Sequence, residues 1–313
     1  MKVEDIRTVS IIGAGLMGHG IAQVFAQAGY NVMLKDIKQE FLSNAIIRMK
    51  ENLQTLSDAG IIQRQEIDAT LSRVKTTLDM KEALMNTDFM IEAATENMDL
   101  KKQIFMEASK FSPENAILAT NTSGLPIVDI AGVTNRPGRV VGIHFWNPPY
   151  LLRAVEVVKG TSTTDETVKV AYDILKKVGK KPVVVKRDIP GQIGIRILYA
   201  MLREAMSLVE KGVASPEDID TVVKEALGTR LPVVGVLELA DLSGVDLVLM
   251  VSKRLFKDLD NSPEPSKLLT DMVANGRTGI KSSEGFYSWT PQSIASIVKK
   301  RDEHLLRILK NQT

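Results

Sequence analysis

The chain has three histidines and no cysteine, so acid–base chemistry has few candidates and thiolate nucleophiles, thiolate metal ligation and disulfides are excluded. No metal is expected. His144 closes a β-branched apolar run and precedes Phe145-Trp146-Asn147-Pro148-Pro149, a segment whose prolines cannot continue a sheet ladder. Glu156 lies on the next strand-like run, 153–158, close enough by topology to reach the imidazole. A carboxylate beside histidine fixes the tautomer and stabilises the imidazolium formed on proton pickup. The pair suits a base that removes a hydroxyl proton while hydride leaves the same carbon, assistance typically worth roughly 10²–10⁴-fold. From spacing alone, a packed structural histidine is the other reading. Ser123, after the apolar run 116–121, is either a hydroxyl facing substrate or the N-cap of a short helix over 125–131. His19 and His304 fall on helical patterns and read as packing or surface residues.

Such residues need a scaffold, and its plan is clearest in residues 8–36. Thr8 to Ile12 is a short apolar run suited to a buried parallel strand. Gly13, Gly15 and Gly18 follow in G-x-G-x-x-G spacing, with Leu16 and Met17 completing the loop, and a helical pattern starts at once. Gly13 permits the tight turn, Gly15 lets a pyrophosphate approach the backbone, and Gly18 allows close helix–strand packing. The helix start offers unpaired N–H groups to phosphate. Asn31 to Lys35 reads as a second strand, and Asp36 at its end can accept bonds from ribose hydroxyls. Asp36 would repel a 2′-phosphate, which favours NAD over NADP against the nearby Lys35 and Lys38, while FAD enzymes share the same glycine opening.

Beyond Asp36, helical patterns over 39–57 and up to about Ser72 form a helical hairpin longer than an ordinary crossover. Strands at 74–78, 89–94, 116–121, 139–145, 153–158 and 181–186 alternate with helices. This alternation predicts an α/β fold, a Rossmann-type doubly wound, mostly parallel sheet with a helical-hairpin insertion. In such sheets ligands lie beyond the carboxyl ends of the strands, where Glu96 and Ser123 fall. After Asp188-Ile189-Pro190-Gly191 the pattern turns helical, so residues 1–187 form the nucleotide domain and 188–313 an all-helical C-terminal domain. Within it a helix starts at Ser215-Pro216-Glu217-Asp218 and ends at Ala226-Leu227-Gly228, and a short strand is expected at 285–289.

The 313 residues carry a net charge of +2 with no dense basic stripe, which argues against nucleic-acid binding. No apolar run reaches membrane-spanning length, and no leader precedes the first strand, so a cytoplasmic protein without membrane contact is expected.

The motifs together resemble the L-3-hydroxyacyl-CoA dehydrogenase family over nearly the full length. Gly13-Ala14-Gly15-Leu16-Met17-Gly18, Glu92-Ala93-Ala94-Thr95-Glu96-Asn97, Asn121-Thr122-Ser123, His144-Phe145-Trp146-Asn147-Pro148 with Glu156, Asp188-Ile189-Pro190-Gly191 and Lys281-Ser282-Ser283-Glu284-Gly285 come in family order. The resemblance implies a catalytic His144–Glu156 pair, with Ser123 bonding the substrate oxygen. It implies that Glu96, Lys101, Asn147 and Lys281 lie near NAD, and that the helical domain mediates a homodimer. The implied reaction is NAD-dependent oxidation of the 3-hydroxyl of a short L-3-hydroxyacyl-CoA such as 3-hydroxybutyryl-CoA. Two departures stand out. Ile195 occupies the place of a family asparagine, and Gln192, one turn away, is the expected substitute contact to substrate. In the helical hairpin, Asn52 and Ala59 stand where acyl-CoA members offer a serine and a lysine to CoA. Relatives acting on free hydroxy acids, such as L-gulonate and L-carnitine dehydrogenases, share His-Phe-Trp-Asn-Pro-Pro-Tyr. A non-catalytic, crystallin-like NAD-binding protein is the third reading.

Overall fold

The computed structural model describes residues 1–311. It divides into two compact units, Met1–Ile195 joined by the chain's last segment from Lys299, and Arg196–Val298.

The first unit starts with β1 (Thr8–Ile12), α1 (Gly18–Gln27) and β2 (Asn31–Lys35). The helical hairpin follows as α2 (Gln39–Asp58) and α3 (Gln65–Leu71), then β3 (Val74–Thr77), α4 (Met80–Leu84) and β4 (Phe89–Glu92). Next come α5 (Met98–Phe111), β5 (Ile117–Thr120), α6 (Ile127–Ala131), β6 (Val140–Phe145), β7 (Ala154–Val158), α7 (Asp165–Lys177) and β8 (Lys181–Val185). The sheet order is β3-β2-β1-β4-β5-β6-β7-β8. The chain therefore winds outward from β1, returns to β4 beside it and winds the other way, leaving a switch point between β1 and β4. Strands β1 to β6 are parallel. The connection 146–153 is too short for a crossover helix, so β7 returns antiparallel to β6, and β8 pairs parallel to β7.

Central strands β4, β5 and β6 are buried along their whole length, which explains their unbroken apolar character. Alternate residues feed two cores. Ile11 joins Phe25, Leu42 and Ala171 on one face, and Ile12 joins Leu84, Phe105 and Ile127 on the other. The ladder aligns Ile12 with Glu92, Glu92 with Thr120, and His144 with Glu156.

The α8 helix (Gly194–Glu210) leads into the second unit, which holds α9 (Pro216–Val222), α10 (Gly228–Arg230), α11 (Val236–Ser243), α12 (Val245–Leu255) and α13 (Lys267–Ala274). Ser215 caps α9 by accepting the Asp218 amide. That helix does not stop at Gly228. It passes through one π-type turn, Val223–Leu227, into α10, because Gly228 keeps a helical φ of −60° instead of turning left-handed. Nor is 285–289 a strand. It makes only isolated bridges, Gly279 with Glu284 and Glu284 with Ser288, since no extended neighbour lies alongside to build a ladder. Among the described residues, Met272 is the one large apolar side chain of this unit that is deeply buried, and none of its residues joins either core. The last helix, α14 (Pro291–Lys310), returns to the first unit, where Lys310 Nζ donates to the Ala59 carbonyl at 3.1 Å.

Candidate active site

The carboxyl ends of β1, β4, β5 and β6 gather most of the residues singled out above. Gly13 has φ +107°, and a Cβ there would lie 2.6 Å from the Ala93 carbonyl oxygen. A Cβ on Gly18 would lie 1.7 Å from the Gly13 oxygen, so both positions admit only glycine. A Cβ on Gly15 would meet no protein atom, which leaves its backbone open to a ligand. Leu16 is exposed and Met17 half-buried against the core. Asp36 Oδ2 accepts the Ala14 amide and Oδ1 the Ile37 amide, each at 2.6 Å, so the acid also braces the glycine turn. A cavity of about 550 Å³ runs from Gly13–Gly15 past Asp36 to Phe41 and Arg48. His19, on the first turn of α1, donates from Nδ1 to the Gly15 carbonyl at 2.8 Å. Burial pushes its pKa down, the Gly15 bond opposes this, and the Arg48 charge adds to the lowering.

His144 and Glu156 are cross-strand partners, so their side chains leave the sheet on the same face. His144 Nδ1 lies 2.7 Å from Glu156 Oε2, with the ring 4% exposed. A carboxylate can only accept, so the proton of this bond sits on Nδ1. Glu156 Oε1 accepts the amides of Ile193 and Gly194 at 2.8 and 3.0 Å, at the start of α8. Burial alone would raise the Glu156 pKa. The hydrogen bonds from His144, Gly194 and Ile193 outweigh it and hold the carboxyl below its usual value. Trp146 packs edge-on against the imidazole, centroids 5.2 Å apart. Its indole abuts Gly194, where a Cβ would lie 2.3 Å from Cζ2. Asn147, joined to Pro148 by a cis bond, is exposed. Lys180 Nζ donates to the carbonyls of Pro149 and of Leu152 (3.0 Å), clamping this loop. Burial, reinforced by the Arg153 charge, pushes Lys180 down to about 8.

Ser123 is exposed at the end of β5, and its amide donates to Glu96 Oε1 at 3.1 Å. It does not cap α6. The first amide of that helix, Ile127, is met by Asp188 at 2.7 Å. Thr122 donates to Glu96 Oε1 as well, and Asn121 Oδ1 accepts the Phe145 amide at 2.9 Å, tying β5 to the His144 strand. Lys101 is 1% exposed, its ammonium against Glu92 and Glu96. Gln192 is 1% exposed at φ +51°, and its Oε1 is buried without a partner. Lys281 is exposed in the second unit. Among the described residues no three metal-ligating side chains converge, and no helix is long and apolar enough to cross a membrane.

Comparison with known proteins bears on this arrangement. Residues 8–189 match the model of the 3-hydroxyacyl-CoA dehydrogenase NAD-binding domain, and residues 191–289 match that of its C-terminal domain. The chain belongs to the 3-hydroxyacyl-CoA dehydrogenase family. Its cofactor is accordingly NAD and its chemistry that of an oxidoreductase, as the glycine cradle and Asp36 lead one to expect. Among its relatives is 5-formyl-3-hydroxy-2-methylpyridine 4-carboxylate 5-dehydrogenase of Mesorhizobium japonicum, 34% identical over 97% of each chain. A crystal structure of an enzyme of that activity, an NAD-dependent dismutase, aligns with a TM-score of 0.91 at 34% identity, covering 97% of this chain and 99% of that one. The (S)-3-hydroxybutyryl-CoA dehydrogenase structure from Ralstonia eutropha aligns with a TM-score of 0.77 at 37% identity, covering 91% of this chain and 99% of that one.

For this family member, residue-by-residue reading of the sequence passed over Glu92, Thr122 and Gly194. Glu92 stands in an apolar strand, and a carboxylate at such a strand end signals a partner even before the partner is known. The amides of Ile193 and Gly194 carry no sequence signal at all.

Proposed function

We propose that the protein oxidises the C3 hydroxyl of a short L-3-hydroxyacyl-CoA to the ketone with NAD. The observation that carries this reading is the buried His144–Glu156 pair, with Nδ1 engaged by the carboxylate at 2.7 Å. Nδ1 being protonated, Nε2 presents its lone pair and takes the hydroxyl proton. The C3–H bond breaks as the carbonyl forms, and NAD held in the glycine cradle would supply the hydride acceptor. Glu156 stabilises the imidazolium, while the Ser123 hydroxyl donates to the substrate oxygen. Gly13, Gly15, Leu16, Met17, Gly18 and Asp36 would hold the dinucleotide, with Glu96, Lys101 and Asn147 near it. Gln192, whose buried Oε1 lacks a partner, offers the substrate a polar contact in place of the one lost at Ile195.

A second reading, a substrate without CoA, is favoured by specific observations. Asn52, where acyl-CoA members present serine, donates to Gln23 at 3.1 Å. Ala59, where they present lysine, has its carbonyl taken by Lys310. The relative acting on a pyridine carboxylate is also matched over 97% of both chains. NADH formation with L-3-hydroxybutyryl-CoA, L-gulonate, L-carnitine and the formyl-pyridine carboxylate, assayed in parallel, tests both. Turnover of the thioester alone supports the first reading, and turnover of free acids alone supports the second. Retained NAD binding with no turnover of any would leave the crystallin-like reading.

A homodimer is part of the proposal. In the second unit Val233, Leu237, Leu242, Val245, Met250 and Phe256 are exposed and no core forms, a surface one protomer does not leave wet. Light scattering giving the monomer mass would remove this part.

A further inference from the structure

Lys180 is a buried ammonium that the reaction scheme leaves without a task. It stands just before β8, 8% exposed, and its Nζ donates to the Pro149 carbonyl at 2.5 Å and to the Leu152 carbonyl at 3.0 Å. Between those two residues the chain is a compact turn, in which the Leu151 and Leu152 amides both donate to the Pro148 carbonyl. The α1 helix meets the same turn. A Cβ on Gly20 would lie 3.0 Å from Pro149 Cδ and 3.2 Å from Cγ, so only a bare backbone lets that ring rest on the helix. Pro149 is thus fixed at two points, its ring by α1 and its carbonyl by Lys180. A few residues earlier in this stretch, Trp146 stands edge-on to the His144 imidazole, and Asn147 follows it.

An ammonium buried against neutral carbonyls is a costly way to fill space, since no opposite charge offsets the lost hydration. The charge that reaches Lys180, that of Arg153, has the same sign. An apolar side chain would avoid the cost but leave two carbonyls unanswered and the turn free to slide. What the lysine adds is placement.

We propose that Lys180 is a positioning residue: acting through the Pro149 and Leu152 carbonyls, it sets the stretch that lays Trp146 against the base and carries Asn147 toward the dinucleotide. This rests on the reading of His144 as the base given above. The test compares Lys180→Met, Gly20→Ala and their combination in the full-length protein, with whichever of the four substrates above is turned over. Lys180→Met frees the turn, and Gly20→Ala pushes Pro149 from the α1 side. Each is expected to lower kcat about 10-fold, the scale of roughly half an ångström of displacement, while KM and the NADH dissociation constant stay within about threefold. Gly20→Ala does so with its Tm kept, because alanine is the better helix former. The double variant loses less than the product of the two, since a turn released from Lys180 yields to the new methyl. Wild-type kcat in either single variant, losses that multiply in the double, or NADH affinity lost in step with kcat overturns the proposal alone. Wild-type kcat in Glu156→Gln overturns the reading of the base and the proposal with it. If Lys180→Met does not fold, Lys180→Arg, longer and planar, displaces the same turn without emptying the site. Wild-type kcat there overturns the proposal equally.

Discussion

Replacing Glu156 with glutamine changes one atom's character at the centre of the proposed site. The side chain keeps its shape, and its oxygen can still accept the Ile193 and Gly194 amides now 2.8 and 3.0 Å from Oε1. The amide nitrogen then faces His144 Nδ1, where the carboxylate lies at 2.7 Å. Two donors cannot share that gap, so the imidazole moves its proton to Nε2 and presents the wrong nitrogen to an alcohol. The loss is that of general-base assistance, about 10²–10⁴-fold in kcat, while the NADH dissociation constant stays within about twofold of wild type because Asp36 and the glycine loop are untouched. Stability falls by about 1–3 kcal/mol for the weakened charged hydrogen bonds. Since the Glu156 carboxyl is held below its ordinary value in the folded chain, its contribution is present above the unfolded value and disappears as pH falls through the folded one. The Tm gap between wild type and Glu156→Gln should therefore close in acid. Steady-state kinetics, NADH fluorescence titration and thermal melts across pH suffice. Turnover within threefold of wild type, or NADH affinity lost in step with kcat, would refute the reasoning.

Other outcomes follow from the same geometry. Gly194→Ala drives a methyl into the Trp146 indole; we expect about 1–3 kcal/mol of destabilisation and a fall in kcat that exceeds any change in NADH affinity, checked by melts and kinetics. Gly13→Ala needs a φ of +107° with a Cβ on the Ala93 carbonyl, so titration should show NADH binding lost, and retained binding would remove this turn from the cofactor site. Lys180, at about 8 in the fold against an ordinary 10.5, keeps its proton in both states below that window and loses it first in the folded state. Wild-type stability thus gains with pH from about 8 to 10.5 relative to Lys180→Met; a pH-independent Tm difference between the two would contradict this.

Much of the site was legible because its parts sit on strand ends. The run Thr8–Ile12 with three spaced glycines and Asp36 leaves few backbone solutions, and His144 with Glu156 follow from two apolar runs joined by a loop too short for a crossover. What stayed hidden depends on long-range approach. That Glu156 meets the start of α8, or that a lysine nine residues along the chain turns inward to Glu92, depends on backbone amides and rotamers that no spacing encodes. Gly228 misled for a related reason: glycine permits a left-handed stop without imposing one, and here neighbouring turns carried the helix past it. The aromatic run at 286–289 misled because strand propensity without a partner strand yields only bridges.

The reversal between β6 and β7 gives the base and its acid their alignment from the sheet ladder itself, not from any loop. A slip of one residue would send the two groups to opposite faces, so the pairing is all or nothing. The connecting stretch 146–153 is released from that duty. Its own conformation is held by other contacts, the Trp146 ring against the imidazole and the Lys180 ammonium on the Pro149 and Leu152 carbonyls, so loop and proton-transfer register are secured independently.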